Sequence, residues 1–217
     1  MKKIILTIVG AIIATASFAQ RASSSSTSFF STEKSDQPIT FGVRAGLNFA
    51  NMSWEEDHSS LSLDSRTAFN VGLSVDFPLL QSMYIQSGLY LSSKGCKEKS
   101  GSEEITMSPM YLEIPVLASY RYDISESTQL QLNVGPYFGY GIGGKYEAEK
   151  GDYSYDEDFF EDDDVKKFDC GLQIGAGVTF GKVYVGCGYQ FGMANIIDDS
   201  DLSVKHKNFM INVGYNF

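Results

Sequence analysis

Histidine is the usual general base near neutral pH, and this chain carries only two. His58 follows Glu55-Glu56-Asp57 and precedes Ser59-Ser60, while His206 lies close in sequence to Asp201 and Ser203. Each neighbourhood holds the residue types of a Ser/His/acid hydrolytic or acyl-transfer site. No motif frames these serines, and nothing in the spacing fixes a nucleophile against a base. Two solvated loop histidines, and no enzyme, are expected. Cys96, Cys170 and Cys187 have no Cys-His cluster around them, so no zinc site is expected. Residues 145–167 have the strongest chemical character. They hold ten acids and four lysines, a net of −6, interleaved with Tyr146, Tyr153, Tyr155, Phe159 and Phe160. Glu161-Asp162-Asp163-Asp164 could gather a divalent cation but lacks the Asp-x-Asp-x-Asp-Gly order of a calcium loop. A solvated acidic segment is expected, with a cationic or protein surface partner as the functional alternative. No cofactor is implied.

The elements that position these groups belong to a chain of 217 residues, within the range of one domain. Lys+Arg 17 against Asp+Glu 27 argues against nucleic acid, because phosphate binding needs a basic footprint. Gly 21 and 13% aromatic residues argue against a helical bundle, and 43% hydrophobic residues argue against disorder. Three cysteines cannot form a fully paired disulfide framework. Met1-Lys2-Lys3, the apolar stretch from Ile4 to Thr15 and Ser17-Phe18-Ala19 read as a secretory signal peptide over residues 1–19. Its removal takes Lys2 and Lys3 away, moving the net charge from −10 to −12. Residues 20–39, with Ser23-Ser24-Ser25-Ser26, read as a flexible periplasmic tether.

From Phe41 onward the apolar residues alternate with small or polar ones, which is the β period. Phe41, Val43, Ala45, Leu47 and Phe49 share one face, and Gly42, Arg44, Gly46 and Asn48 the other. Eight strands are expected, at 41–50, 67–77, 83–94, 110–122, 128–144, 168–180, 183–192 and 207–217. The connections then run 16, 5, 15, 5, 23, 2 and 14 residues, long and short by turns. Outer-membrane barrels sort their loops in this way, with short periplasmic turns and long external loops. An even strand number leaves both termini periplasmic. The non-apolar face, with Gly171, Gln173, Gly175, Gly177 and Gly186, Gly188, Gln190, suits a narrow lumen better than bulk water. Residues 40–217 therefore predict an eight-stranded antiparallel up-and-down transmembrane barrel, closed because lipid cannot satisfy backbone polar groups.

Within that lumen fall Arg44, Asp76, Lys94, Glu113, Arg121 and Asp169, expected as a structural plug of mutual salt bridges. Cys170 and Cys187 fall on the lipid face of neighbouring strands. The tight turn at Gly181-Lys182 pairs positions whose numbers sum to about 363, so the two cysteines are out of register for a bridge. Pro115 and Pro136 fall in adjacent strands, nearly opposite, where a bulge is expected. The last strand, Phe209 to Phe217, alternates strictly and ends on an aromatic residue. With Val213, Tyr215 and Phe217 on its apolar face, it resembles the signal that the barrel-insertion machinery reads.

Tyr111-Leu112-Glu113-Ile114-Pro115-Val116-Leu117 resembles the YLEIP-type segment of the PorT-like outer-membrane β-barrel family of Bacteroidota. Gly135-Pro136-Tyr137-Phe138-Gly139-Tyr140-Gly141 and Asp169-Cys170-Gly171-Leu172-Gln173-Ile174-Gly175 are similar to its later glycine-rich strands. Gly42-Val43-Arg44-Ala45-Gly46-Leu47-Asn48 resembles its opening strand, so the resemblance spans about residues 41–217. It implies an integral barrel in outer-membrane lipid, and for a few members an accessory place in a secretion system. The expected function is a non-enzymatic barrel presenting long acidic external loops for surface interaction or envelope structure. The alternatives are that secretion accessory and a small hydrolase or acyltransferase using His58 or His206. Deleting Tyr215 to Phe217 should leave the protein degraded or held in the periplasm; normal outer-membrane levels on fractionation would contradict the assembly signal.

Overall fold

A computed structural model describes residues 35–56, 59–62, 64–100, 103–150, 153–160, 165–197 and 202–217. Eleven strands are present among the described residues: β1 Thr40–Glu56, β2 Ser59–Ser62, β3 Asp64–Leu80, β4 Met83–Ser93, β5 Cys96–Ser100, β6 Glu103–Ser125, β7 Thr128–Lys150, β8 Tyr153–Asp158, β9 Phe168–Phe180, β10 Val183–Gly192 and β11 Leu202–Asn216. Eight of them form a closed antiparallel ring in the order β1, β3, β4, β6, β7, β9, β10, β11. Closure is made by β1 against β11, from Gly42 opposite Asn216 to Glu56 opposite Leu202. No edge of the ring is left for another chain to pair with.

Several ring strands run longer than the alternation indicates. β6 begins at Glu103 instead of residue 110, and β7 runs on to Lys150 instead of ending at 144. Beyond the apolar band charged residues enter the sequence of these strands, so the period-two signal fades while the hydrogen-bonded ladder continues. β5 and β8 add to this extension, giving a sheet ordered β5, β6, β7, β8 that stands past the barrel rim. Part of the expected 15- and 23-residue loops is therefore strand. On the opposite rim, the two connections expected at five residues are two-residue turns, at 81–82 and 126–127. Together with Gly181-Lys182 they make three tight hairpins, and Gly181 takes the left-handed φ of 58° that such a turn favours.

The expected bulge at the prolines does not form. Pro115 faces Tyr137, and the β6–β7 register is the same on either side, with Ala118 facing Val134. The proline ring removes a donor, so the ladder skips residues 116 and 117 without adding one. The register shifts instead between Met110 and Tyr111, where Ile142 is left unopposed, and between Asp123 and Ser125. The first shift swaps the inward-facing set of β7, so that Gly141 and Tyr146, five residues apart, both face the axis.

The barrel is inverted relative to a water-soluble one. Val183, Val185 and Phe191 of β10 point outward at 44–48% exposure, while Tyr184 and Gln190 are buried. The same outward band carries Phe69, Val71, Leu73, Ile114, Leu132, Val134, Ile211 and Val213. Val185→Arg should cost roughly 2–4 kcal/mol of folding free energy in phospholipid bilayers. Gln190→Asn, inside, shortens one amide and should cost about 1 kcal/mol. Equal losses in a refolding titration would mean that the faces are reversed.

Candidate functional site

The six charges selected by the alternation all lie inside the barrel, each less than 9% exposed. They divide into two groups. In the loop-side half, Lys94 leaves the end of β4 and its Nζ lies 2.5 Å from Glu113 Oε1 and 3.0 Å from Asp169 Oδ2. The Tyr137 hydroxyl donates to Asp169 Oδ2 at 3.2 Å, and the ammonium sits 4.4 Å from the centre of the Tyr137 ring. Gln190 donates to Glu113 Oε2 and to Gln173, and accepts from Asn208. In the turn-side half, Arg121 Nη2 approaches Asp76 Oδ2 at 2.6 Å, and Gln86 donates to Asp76 Oδ1 at 2.8 Å. Arg121 also stacks over Tyr84, as Arg44 does over Tyr184.

Charges taken out of water are held only when paired and hydrogen-bonded, and the amides and phenols around these pairs supply the second requirement. The geometry follows from the strands. Eight strands enclose a bore just wide enough for side chains to fill, so large inward residues need small ones beside them. Tyr184 lies across Gly177 and Gly186, where an added Cβ would collide with its ring. The polar lumen is thus a packed core of amides, phenols and ion pairs. A cavity of about 60 Å³ remains in it, room for a few water-sized groups and no organic substrate.

Above the Lys94 group lies an apolar cap. Phe159 and Phe160 turn inward after β8, with rings edge-on 5.1 Å apart, and Phe160 meets Tyr111 edge-on at 5.7 Å. Met52, Cys96, Ile196 and Val204 complete the cluster. Burial pushes the Cys96 thiol up to about 12, so it stays protonated and unreactive. Cys170 and Cys187 are also free. Cys170 accepts at its carbonyl from Met193 N, consistent with a partner at 193 and not 187.

His206 is sealed beneath this cap. It is 1% exposed, and its Nε2 shares a 3.0 Å hydrogen bond with the Tyr111 hydroxyl. The solvated loop setting expected for it is therefore wrong: Met52 is its cross-strand partner on β1, so it lies in the ring and not in a loop. His58 and the run Glu161, Asp162, Asp163, Asp164 lie outside the described residues. Val213, Tyr215 and Phe217 are exposed on the outer face at the end of the chain. No group of three His, Cys, Asp or Glu able to hold a metal occurs among the described residues. Sequence reading missed the cap altogether, although two adjacent phenylalanines inside an acid-rich segment are a signal that they are buried.

A closed ring with an apolar exterior and a polar, ion-paired interior is what a chain folded in lipid requires. The family described as "Outer membrane protein beta-barrel domain" matches residues 18–198. The chain belongs to this family. It is an integral outer-membrane β-barrel, and its outer band is lipid-facing. No curated protein matches the sequence. Among solved structures, Ail of Yersinia pestis is 17% identical, with 86% of this chain and 100% of that chain covered, at a TM-score of 0.40. Neisserial surface protein A is 14% identical, covering 83% and 100%, at 0.44. OprG from Pseudomonas aeruginosa is 14% identical, covering 85% and 97%, at 0.46. These likenesses are too distant to carry a role across.

Replacing Lys94 by Met leaves Glu113 and Asp169 buried without a counter-charge, which should cost about 3–5 kcal/mol. Adding Glu113→Gln and Asp169→Asn to that variant should recover much of the loss. Urea unfolding of the three proteins in detergent measures both effects; an additive triple variant would show that the pairs are not coupled.

Proposed function

We propose that the barrel is a non-enzymatic surface-recognition protein whose work is done by the strands and loops beyond its loop-side rim. The observation that carries this reading is the filled lumen: ion pairs span the bore, and the Phe159–Phe160 cap covers them. Such an interior suits a rigid support and offers no path for a solute. The sheet β5, β6, β7, β8 then presents Glu98, Lys145, Glu157 and Asp158 to solvent, along with Tyr155, whose hydroxyl bonds to Glu157. In this reading the loop-side rim faces the cell exterior and both termini face the periplasm. The acidic residues 145–167 recognise a cationic or protein partner over roughly a Debye length, ~8 Å at physiological salt. The barrel-insertion machinery reads the last strand during biogenesis.

The environment of His206 supports the same non-catalytic reading. Its Nε2 is engaged by Tyr111, and Phe160 packs edge-on against the Tyr111 ring. On the residues quoted above, the subgroup we propose is the PorT-like barrels of Bacteroidota. A secretion-accessory role would rest on that subgroup alone.

Protease applied to intact cells should cut within residues 145–167 and leave the ring strands whole. Changing Asp162, Asp163 and Asp164 to Asn should weaken binding of a polylysine probe to the cell surface and flatten its salt dependence, with barrel stability unchanged. Resistance to protease until the outer membrane is broken would reverse the orientation. Unchanged polylysine binding would remove the acidic loop from the function.

A further inference from the structure

The buried charges of the lumen balance in number but not in place. Among the described residues the buried cations are Arg44, Lys94 and Arg121, and the buried carboxylates are Asp76, Glu113 and Asp169. Lys94 engages two of those carboxylates, and Arg121 engages the third. Arg44 makes no direct ion pair, and Asp76, which attracts it, is engaged by Arg121. The residue is 5% exposed, its Nη2 is buried with no hydrogen-bond partner, and its one hydrogen bond is a long 3.4 Å contact from Nη1 to the carbonyl of Val43. The Tyr184 ring, 4.2 Å from the guanidinium carbon, offers only its π face.

The sequence builds room for this arrangement. Arg44 sits between Gly42 and Gly46 along β1, and its cross-strand partners on the two sides are Gly72 and Gly214. A Cβ at Gly214 would collide with the Arg44 side chain. The guanidinium is thus laid over a glycine bed and lines the lumen cavity of about 60 Å³. The other walls of that cavity carry the amides of Asn133 and Gln173 and the phenols of Tyr90 and Tyr184, while the amides of Asn48 and Asn70 already donate to neighbouring groups and Asn212 Oδ1 adds an unpartnered acceptor. Glu113 also borders it, but that carboxylate is held by Lys94 and Gln190.

We propose that this cavity is an anion site, in which a small monovalent anion of the halide class sits against Arg44 Nη2 and the surrounding amide and phenol donors. An unpaired guanidinium in a low-dielectric interior is strongly unfavourable, and an anion placed beside it supplies the missing counter-charge. The size of the cavity sets the selectivity. Chloride and bromide fit; gluconate does not.

The test uses the full mature chain extracted in detergent, melted in sodium gluconate and in sodium chloride or bromide at one ionic strength. The wild-type melting temperature should rise by about 2–4 °C as halide replaces gluconate, because an anion bound only by the folded state stabilises it. Arg44→Met should melt at least as high as the wild type in gluconate and show no rise with halide. Crystals soaked in bromide should carry an anomalous peak beside Arg44 Nη2. Identical wild-type melting in both salts, with no bromide peak, would overturn the site and leave the cavity to water. An equal halide response in Arg44→Met would do the same. Should that variant fail to refold, the wild-type melts and the bromide peak decide.

Discussion

Lipid offers no hydrogen-bonding partner to a backbone N–H or C=O, so β11 must serve both β10 and β1 before the chain can rest in a bilayer. Every other feature depends on that closure. It fixes the strand number at which the bore is just filled by side chains, and it turns the apolar face outward. It also explains why the register is unchanged across the gap in the ladder that follows Pro115. A shift there would displace every inward side chain on one strand relative to the next, including Glu113 against its partners.

Once the ring is closed, the interior becomes the place where charge has to be reconciled. A polar lumen in a soluble protein would be hydrated from both ends. Here the bore is packed, so an ionic group depends on a neighbour reached across the lumen or from the adjoining strand. Lys94, Glu113 and Asp169 come from three separate strand regions and meet within 3.0 Å. Asp76 and Arg121 do the same from β3 and β6. Lys94–Asp169 and Asp76–Arg121 tie together strands that are not neighbours in the ring, so these ion pairs act as cross-braces. Pairs of this kind contribute little net stability against an apolar substitute, yet breaking one leaves a costly orphan. Their effect is to specify one arrangement of a glycine-rich wall that would otherwise slip.

The loop-side end is organised by a different force. Past the lipid band water returns, and the hydrophobic effect operates in its ordinary sense. Phe159, Phe160, Ile196, Val204 and Met52 gather over Tyr111 and His206, closing the bore from above. The extended strands β6 and β7 support this cap, and the swap of inward-facing residues at the register shift beside Ile142 aims Tyr146 toward it. The molecule therefore has two cores, a polar one in lipid and a small apolar one in water.

The sequence by itself determined the eight strands of the ring, the alternation of faces, the closed ring and the six lumen charges. These follow from period-two patterning, which is local, and from the rule that charge cannot face lipid. The register at Cys170 was legible because a two-residue turn fixes every pairing beyond it. Only the tertiary structure decided which charge meets which. Strand shear brings residues far apart in sequence to one level of the bore, and no local pattern records that level. Arg44 reads in sequence like its fellow lumen charges, and three-dimensional placement leaves it without a carboxylate. His206 reads as a loop residue because it falls just before the last expected strand at 207–217, whereas its cross-strand partner Met52 draws it into the ring. The extension of β6 and β7 was hidden for the same reason: beyond the lipid both faces of a strand meet water, so alternation no longer marks it.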